Sequence, residues 1–156
     1  MDKRIEELLK NWEKRNIKGL YCASRQEAAE KILGLIPPSV SVGFSGSKPL
    51  EQLEIIKFLK SRGNRVFDPY LTGITREESL NIRRLGSRAD WYLVSANGIA
   101  QTGELVFFSG YGNRIAGVSY APKVVVVCGI NKITSNLDAA LKRSREYATP
   151  LNCKRL

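Results

Sequence analysis

Residues 94–133 read VSANGIAQTGELVFFSGYGNRIAGVSYAPKVVVVCGINKI. Three apolar runs stand in this stretch, at 105–108, 115–118 and 124–127, and glycines and polar residues fill every gap between them. Glycine is needed where a backbone must take positive φ or come close to another group. Asn97, Thr102, Glu104, Asn113, Arg114, Asn131 and Lys132 sit at the ends of these runs. In an α/β protein the strand ends are where ligands are held. The pattern therefore predicts a sheet with a polar rim, and an antiparallel hairpin turning near residues 110–112.

The rest of the chain supplies helices to cover such a sheet. Ile5, Leu8, Leu9 and Trp12 recur at helical spacing and predict a helix over 2–15. Ser24 with Glu27, and Thr75 with Glu78, are capping-box pairs that open helices running to about residues 35 and 87. Leu50, Leu53, Ile56 and Leu59 predict one helix over 49–62, closed by Gly63. Leu137, Ala140, Leu141 and Tyr147 predict a last helix over 135–147, and Pro150 then predicts an extended tail. Strands are expected at 19–23, 39–44, 66–67 and 91–95, besides the three apolar runs. Alternating helices and strands in the first half imply a mostly parallel sheet.

At 156 residues the expectation is a single domain, 1–156, with a core of its own. No apolar run approaches the length a membrane helix needs, and the charged start MDKRIEELLKNWEKR is unlike a secretory leader, so a cytoplasmic, membrane-free location is expected. The sequence has no histidine, and its three cysteines, Cys22, Cys128 and Cys153, are far apart with no C-x-x-C. No metal site and no cofactor is expected from such a set. Histidine-based triads are excluded, which leaves carboxylates, Lys, Tyr or Cys for any proton transfer. The net charge of +10 suits an anionic ligand, but it is spread over helices without a nucleic-acid motif, so no nucleic-acid partner is expected.

Four places carry candidate chemistry. Gly43, Ser45, Gly46, Ser47 and Lys48 follow a strand and precede a helix, where outward amide hydrogens, hydroxyls and a cation suit an anion. A tight turn with an ordinary serine cap is the other reading. Asn97 stands in a Ser-Ala-Asn-Gly turn at a strand end. Thr102, Gly103 and Glu104 face Gly112, Asn113 and Arg114 if the hairpin forms. Arg114 would then clamp a carboxylate or phosphate, and Glu104 would be the catalytic carboxylate. A structural Glu–Arg clasp is the alternative. Asn131 and Lys132 follow the last apolar run, and Asn152, Lys154 and Arg155 lie in the tail.

SANGI, TGELV, GYGNRIA, YAPKVVVVCGINKI and the terminal LDAALKRSREYATPLNCKRL together resemble the LUD domain, named for lactate utilization. The resemblance runs from about residue 40 to Leu156. It implies the sugar-isomerase and CoA-transferase type of fold: a Rossmann-like three-layer α/β sandwich, mostly parallel, with the antiparallel hairpin at 104–119. CoA-transferases of that group carry a nucleophilic Glu in a Glu-Asn-Gly turn, a position that Ala96 holds here. LUD sequences commonly carry Asp where Ser109 stands, and longer members have a cysteine-rich tail beyond the KRL element. The resemblance implies binding of a small anionic metabolite in lactate or organic-acid utilization, alongside iron–sulfur redox partner proteins. A free-standing sugar-phosphate isomerase or acyl/CoA transferase is the alternative. A non-enzymatic regulatory or assembly subunit is another, and self-association into a homo-oligomer remains open.

Overall fold

The computed structural model describes residues 2–154. In chain order the helices are α1 (Lys3–Glu13), α2 (Arg25–Leu35), α3 (Lys48–Gln52), α4 (Ile55–Ser61), α5 (Arg76–Gly86), α6 (Asn113–Tyr120), α7 (Leu137–Arg143) and α8 (Thr149–Cys153). The strands are β1 (Ser41–Phe44), β2 (Arg65–Phe67), β3 (Trp91–Val94), β4 (Gly98–Ala100), β5 (Leu105–Val106), β6 (Lys123–Val126) and β7 (Ile133–Thr134). The chain packs as two compact units. One comprises residues 23–95 and 109–127; the other comprises residues 1–22, 96–108 and 128–156.

The first unit is a parallel sheet in the order β2-β1-β3-β6 with helices on both faces. Val42, Phe44, Trp91, Leu93 and Val125 alternate onto one face, as a pleated strand requires. There they pack with Ala29, Ile32, Leu50, Leu53, Ile55 and Leu59 of α2, α3 and α4. Gly43 and Tyr92, in register with each other, point the other way, towards Gly86 of α5 and Gly117 of α6. The result is the α/β sandwich that the alternation of elements predicts. Arg62 and Asn64 tie its first layer together. Arg62 donates to the carbonyls of Leu33 (2.7 Å) and Ile36 (2.7 Å), and Asn64 Nδ2 to those of Pro37 (2.9 Å) and Val40 (3.0 Å).

The second unit holds a three-stranded sheet, β5-β4-β7, with β4–β5 antiparallel and β4–β7 parallel. Ala100 and Val106 pack with Ala140 of α7. Gly98 allows that packing, since a Cβ there would stand 2.6 Å from the Ala140 carbonyl oxygen.

Five expectations are corrected. The antiparallel pair is β4 with β5, and residues 113–120 are helix α6 rather than a returning hairpin strand. A four-residue apolar run does not by itself distinguish strand from helix. The helix lets Gly117 lie on the Tyr92 ring, with a virtual Cβ only 2.3 Å from it. The expected helix over 49–62 is broken, with Glu54 at φ 49° between α3 and α4. The break shifts the buried stripe to Leu50, Leu53, Ile55 and Leu59. Thr149–Cys153 of the expected extended tail are helical, because Pro150 sits in the first turn of α8, where its missing N–H costs nothing. A widened π-type turn, Ser144–Ala148, precedes it. Residues 19–23 form no strand.

Candidate functional site

The chain runs from β1 through α3 and α4 to β2 on one side, then through α5 on the opposite face to β3 on the far side of β1. The order of strands thus reverses between β1 and β3. The space beyond the carboxyl ends of such a strand pair is where open α/β sheets hold ligands. Ser45 follows β1 and Ser95 follows β3, and the Ser45 N–H donates to the Leu93 carbonyl at 3.1 Å.

Arg114, the second residue of α6, reaches this rim. Its Nε donates to Ser45 Oγ at 3.3 Å and its Nη2 to the Gly46 carbonyl at 3.2 Å. Gly112, at φ 78°, starts α6 in a left-handed conformation, and Ser109 Oγ accepts the Arg114 N–H at 3.3 Å. Asn113 anchors the same turn: its carbonyl accepts the Tyr92 hydroxyl (3.0 Å), and its Nδ2 donates back to Tyr92 Oη (3.3 Å). Burial pushes the Tyr92 phenol up to about 12, against the opposing pull of Asn113 and Arg114, so it stays protonated at neutral pH.

Ser47 lies one residue beyond Gly46 and is buried. Its Oγ has no hydrogen-bond partner among the described residues, and it does not cap α3. A buried hydroxyl without a partner costs free energy and calls for an explanation. Lys48 turns to the surface and pairs with Glu51 at 2.7 Å. Gly43 is used by packing: a Cβ there would stand 1.9 Å from the Gly86 carbonyl oxygen.

The remaining expected residues belong to the second unit, where Asn97, Thr102, Gly103, Glu104 and Lys132 have partners. Asn97 Oδ1 accepts the Phe108 N–H at 2.9 Å, and Arg143 donates to the Asn97 carbonyl. Lys132 Nζ donates to the Ala96 carbonyl at 2.7 Å, while the Ala96 N–H donates to Cys128 Sγ at 3.3 Å. Asn131 is exposed in the turn after Gly129. The turn of Thr102, Gly103 and Glu104 is bound to α1. Trp12 Nε1 donates to the Gly103 carbonyl (3.0 Å), Arg15 to the Thr102 carbonyl (3.2 Å), and Arg15 also pairs with the Glu104 carboxylate. The Thr102 hydroxyl, then the Glu104 backbone N–H, and to a smaller extent Arg15, hold the Glu104 carboxyl below the ordinary glutamate range. With α6 in place of a hairpin strand, the basis for pairing Glu104 with Arg114 is gone. Arg155 lies outside the described residues.

Three rim residues escaped the sequence reading: Tyr70, Arg83 and Tyr111. Tyr70 Oη accepts the Gly46 N–H at 2.9 Å and Arg83 Nη1 at 3.3 Å. The Arg83 guanidinium lies over both the Tyr70 ring (4.8 Å) and the Tyr111 ring (4.6 Å). Their sequence signal is the Asp-Pro-Tyr turn after β2, which becomes a rim element only once β2 is known to lie beside β1. Two open hollows lie elsewhere on this unit. One, about 480 Å³, is lined by Ala29, Leu33, Leu53 and Phe58 among others; a smaller one, about 330 Å³, is lined by Thr75, Glu77, Glu78 and Asn81. Neither contains a residue expected to act.

A family model described as the LUD domain matches residues 5–156. The chain belongs to the LUD domain family. Membership of the LUD domain family ties it to lactate utilization in general. Searches of curated proteins and of solved structures gave no match. No helix among the described residues of this LUD domain is long and apolar enough to cross a membrane.

Proposed function

We propose that this LUD domain binds a small anionic metabolite beyond the carboxyl ends of β1 and β3, held by Ser45, Gly46, Ser47, Asn113 and Arg114. The observation that supports this most is the buried, unpartnered hydroxyl of Ser47, the residue after Gly46, whose carbonyl accepts from Arg114. A guanidinium suits a planar carboxylate or a phosphate through parallel N–H bonds. The Ser45 and Ser47 hydroxyls add further donors to the guanidinium, which favours an anion over a cation, while the Ser45 and Gly46 amide hydrogens are already taken by the Leu93 carbonyl and Tyr70.

In this reading the protein is cytoplasmic and acts in lactate or organic-acid utilization with iron–sulfur redox partners, and the two compact units work as one LUD-type domain over 1–156. A family model running through both units supports the last point. Asn97, Thr102, Gly103, Glu104, Asn131 and Lys132 shape the second unit's turns. Glu104 is a clasp for α1, since a carboxyl held below its ordinary range is a weak base at neutral pH.

The test is a thermal-shift screen with short carboxylates, sugar phosphates and CoA esters, on the native chain and on Arg114→Gln. A ligand that binds only the folded state raises the melting temperature by mass action. The expected result is stabilisation of the native chain by one class of anion and none of the variant. Equal stabilisation of both proteins would move the site away from Arg114.

A further inference from the structure

The two edges of the parallel sheet differ. β2, at one edge, spans only Arg65–Phe67; Arg65 lies over the Phe67 ring at 5.0 Å, and Asp68 and Pro69 follow at once. Short length, charge and proline are the usual guards of an exposed edge. β6, at the other edge, runs into consecutive valines, Val124 to Val127, with no charge or proline among them. The Val127 N–H donates to the Val94 carbonyl at 2.8 Å. Backbone groups alternate in direction along a strand, so Val125 also faces β3, while Val124 and Val126 turn their N–H and C=O groups away from it. No strand pairs with that side among the described residues. Val124–Val126 are accordingly half-buried, where Tyr92–Val94 of β3 are buried.

The helix beside this edge is open too. α6 rests Gly117 on the Tyr92 ring of β3, and Arg114 on one flank reaches Ser45 and Gly46 beyond β1. β1 and β6 lie on opposite sides of β3. At about 3.6 residues per turn, Ala116 and Tyr120 fall on the other flank of α6, toward β6. Both are exposed, Tyr120 by 70 %. Arg114 is the only charged residue in α6, and Lys123 at the start of β6 lies over the Trp91 ring at 5.1 Å. The open edge and its helix flank thus form a near-neutral, apolar stripe on a chain of net charge +10. An acidic partner finds little to pair with there, whereas two copies of a basic chain repel least along such a stripe.

We infer that β6 and α6 form the contact face of a two-fold dimer. β6 of one copy pairs antiparallel with β6 of a second, and the Ala116–Tyr120 flanks of the two α6 helices meet beside the join. A two-fold contact is closed, so it covers both β6 edges and leaves neither to recruit a further strand. The outward-facing residues must oppose one another. Setting Val124 opposite Val126 of the second copy makes two pairs that each exchange both N–H···O bonds. Valine then meets valine across the join, the axis passes through Val125, and each Lys123 opposes Val127 rather than a second lysine. Moving the register either way sets Pro122, which has no N–H, or Cys128, beyond the strand, against one of these residues.

Sedimentation equilibrium of the full chain over a range of concentrations reads the mass in solution. It should rise from 17.4 kDa toward twice that value. Val126→Pro removes only an outward N–H, and Tyr120→Glu brings two carboxylates together beside the axis. Each should hold the monomer mass at concentrations where the native chain is dimeric. Ile115→Glu, exposed on the outer side of α6, should dimerise like the native chain. Val125→Cys, with Cys22, Cys128 and Cys153 replaced by Ser, reads the register. Residues in a non-hydrogen-bonded antiparallel pair stand about 4.5 Å apart between Cα atoms, within disulfide range. Mild oxidation should therefore cross-link this variant and leave Val124→Cys in the same background uncross-linked. A native chain that keeps the monomer mass throughout, or a dimer that survives both Val126→Pro and Tyr120→Glu, overturns the inference. If Val126→Pro does not fold, a native-like dimer in Tyr120→Glu overturns it alone. A dimeric Val125→Cys protein that does not cross-link overturns the pairing about Val125.

Discussion

Gly43 of β1 and Gly86 of α5 touch backbone to backbone, with space for no side chain on Gly43. This contact brings the second helical layer down onto the sheet beside Phe67. Gly43→Ala would force α5 away from β1. The expected loss is about 1–3 kcal/mol of stability, as for other overpacked cores. Urea unfolding of the purified variant measures it, and a midpoint equal to that of the native chain would show that α5 yields without cost.

Asn64 makes a similar demand through polar groups. It is buried, it donates to the Pro37 and Val40 carbonyls, and its Oδ1 accepts from the Arg62 guanidinium. Asn64→Ala leaves two carbonyls and part of a guanidinium without these bonds. A loss of roughly 1–3 kcal/mol is expected from buried groups left unsatisfied. Asn64→Asp keeps an acceptor for Arg62 but turns a buried carboxylate oxygen onto the Pro37 and Val40 carbonyls, so it should be at least as destabilised as the alanine variant. The same urea titration ranks the three proteins.

These dependencies explain how far the sequence could be read. Ser24 and Thr75 do cap α2 and α5, and Thr75 with Glu78 closes a full capping box, because caps are local chemistry. The strands at 41–44, 91–94 and 123–126 follow from short apolar runs in the same way. Residues 115–118 were read as a strand and are helix, because the helix lets Gly117 fit on Tyr92, which no local pattern records. Glu104 illustrates the limit at the site. Its partner, Arg15, lies 89 residues away in the turn just past α1, and nothing near Glu104 in sequence announces it. Ser45 was legible as a polar residue just past a strand, whereas Arg114, expected at a strand end, lies on α6, and Tyr70 and Arg83 needed the strand order β2-β1-β3 first.

The Arg15–Glu104 pair has its own pH signature. The folded-state pKa of Glu104 is depressed, by Thr102 first, then by the Glu104 backbone N–H, with a smaller share from Arg15. Such a group adds stability that is present above the ordinary glutamate pKa and is lost as pH falls through the lower folded value. Glu104→Gln should therefore melt slightly below the native chain at neutral pH, by roughly 0–1 kcal/mol because solvent screens this partly exposed pair. The two proteins should converge in acid. Thermal melts at several pH values would check this, and a gap that widens on acidification would contradict the assigned direction.

Ser47 offers the sharpest separation of folding from binding. Its hydroxyl is closed off from solvent and has no partner among the described residues, so the folded protein carries an uncompensated polar group next to the Gly46 carbonyl that Arg114 holds. Removing an unsatisfied buried hydroxyl relieves its desolvation cost, about 1–3 kcal/mol on protein scales, while a small cavity takes some of that back. Ser47→Ala should accordingly melt at or above the temperature of the native chain when no anion is present. In the presence of an anion that stabilises the native chain, the order should reverse provided that binding opens the turn between β1 and α3, because the closed-off hydroxyl then reaches an oxygen that the alanine cannot bind. Paired melts of the two proteins, with and without the anion, read both effects in one experiment. A variant that melts lower without ligand would mean the hydroxyl already stabilises the fold, and the strongest support for an anion at the end of β1 would be lost.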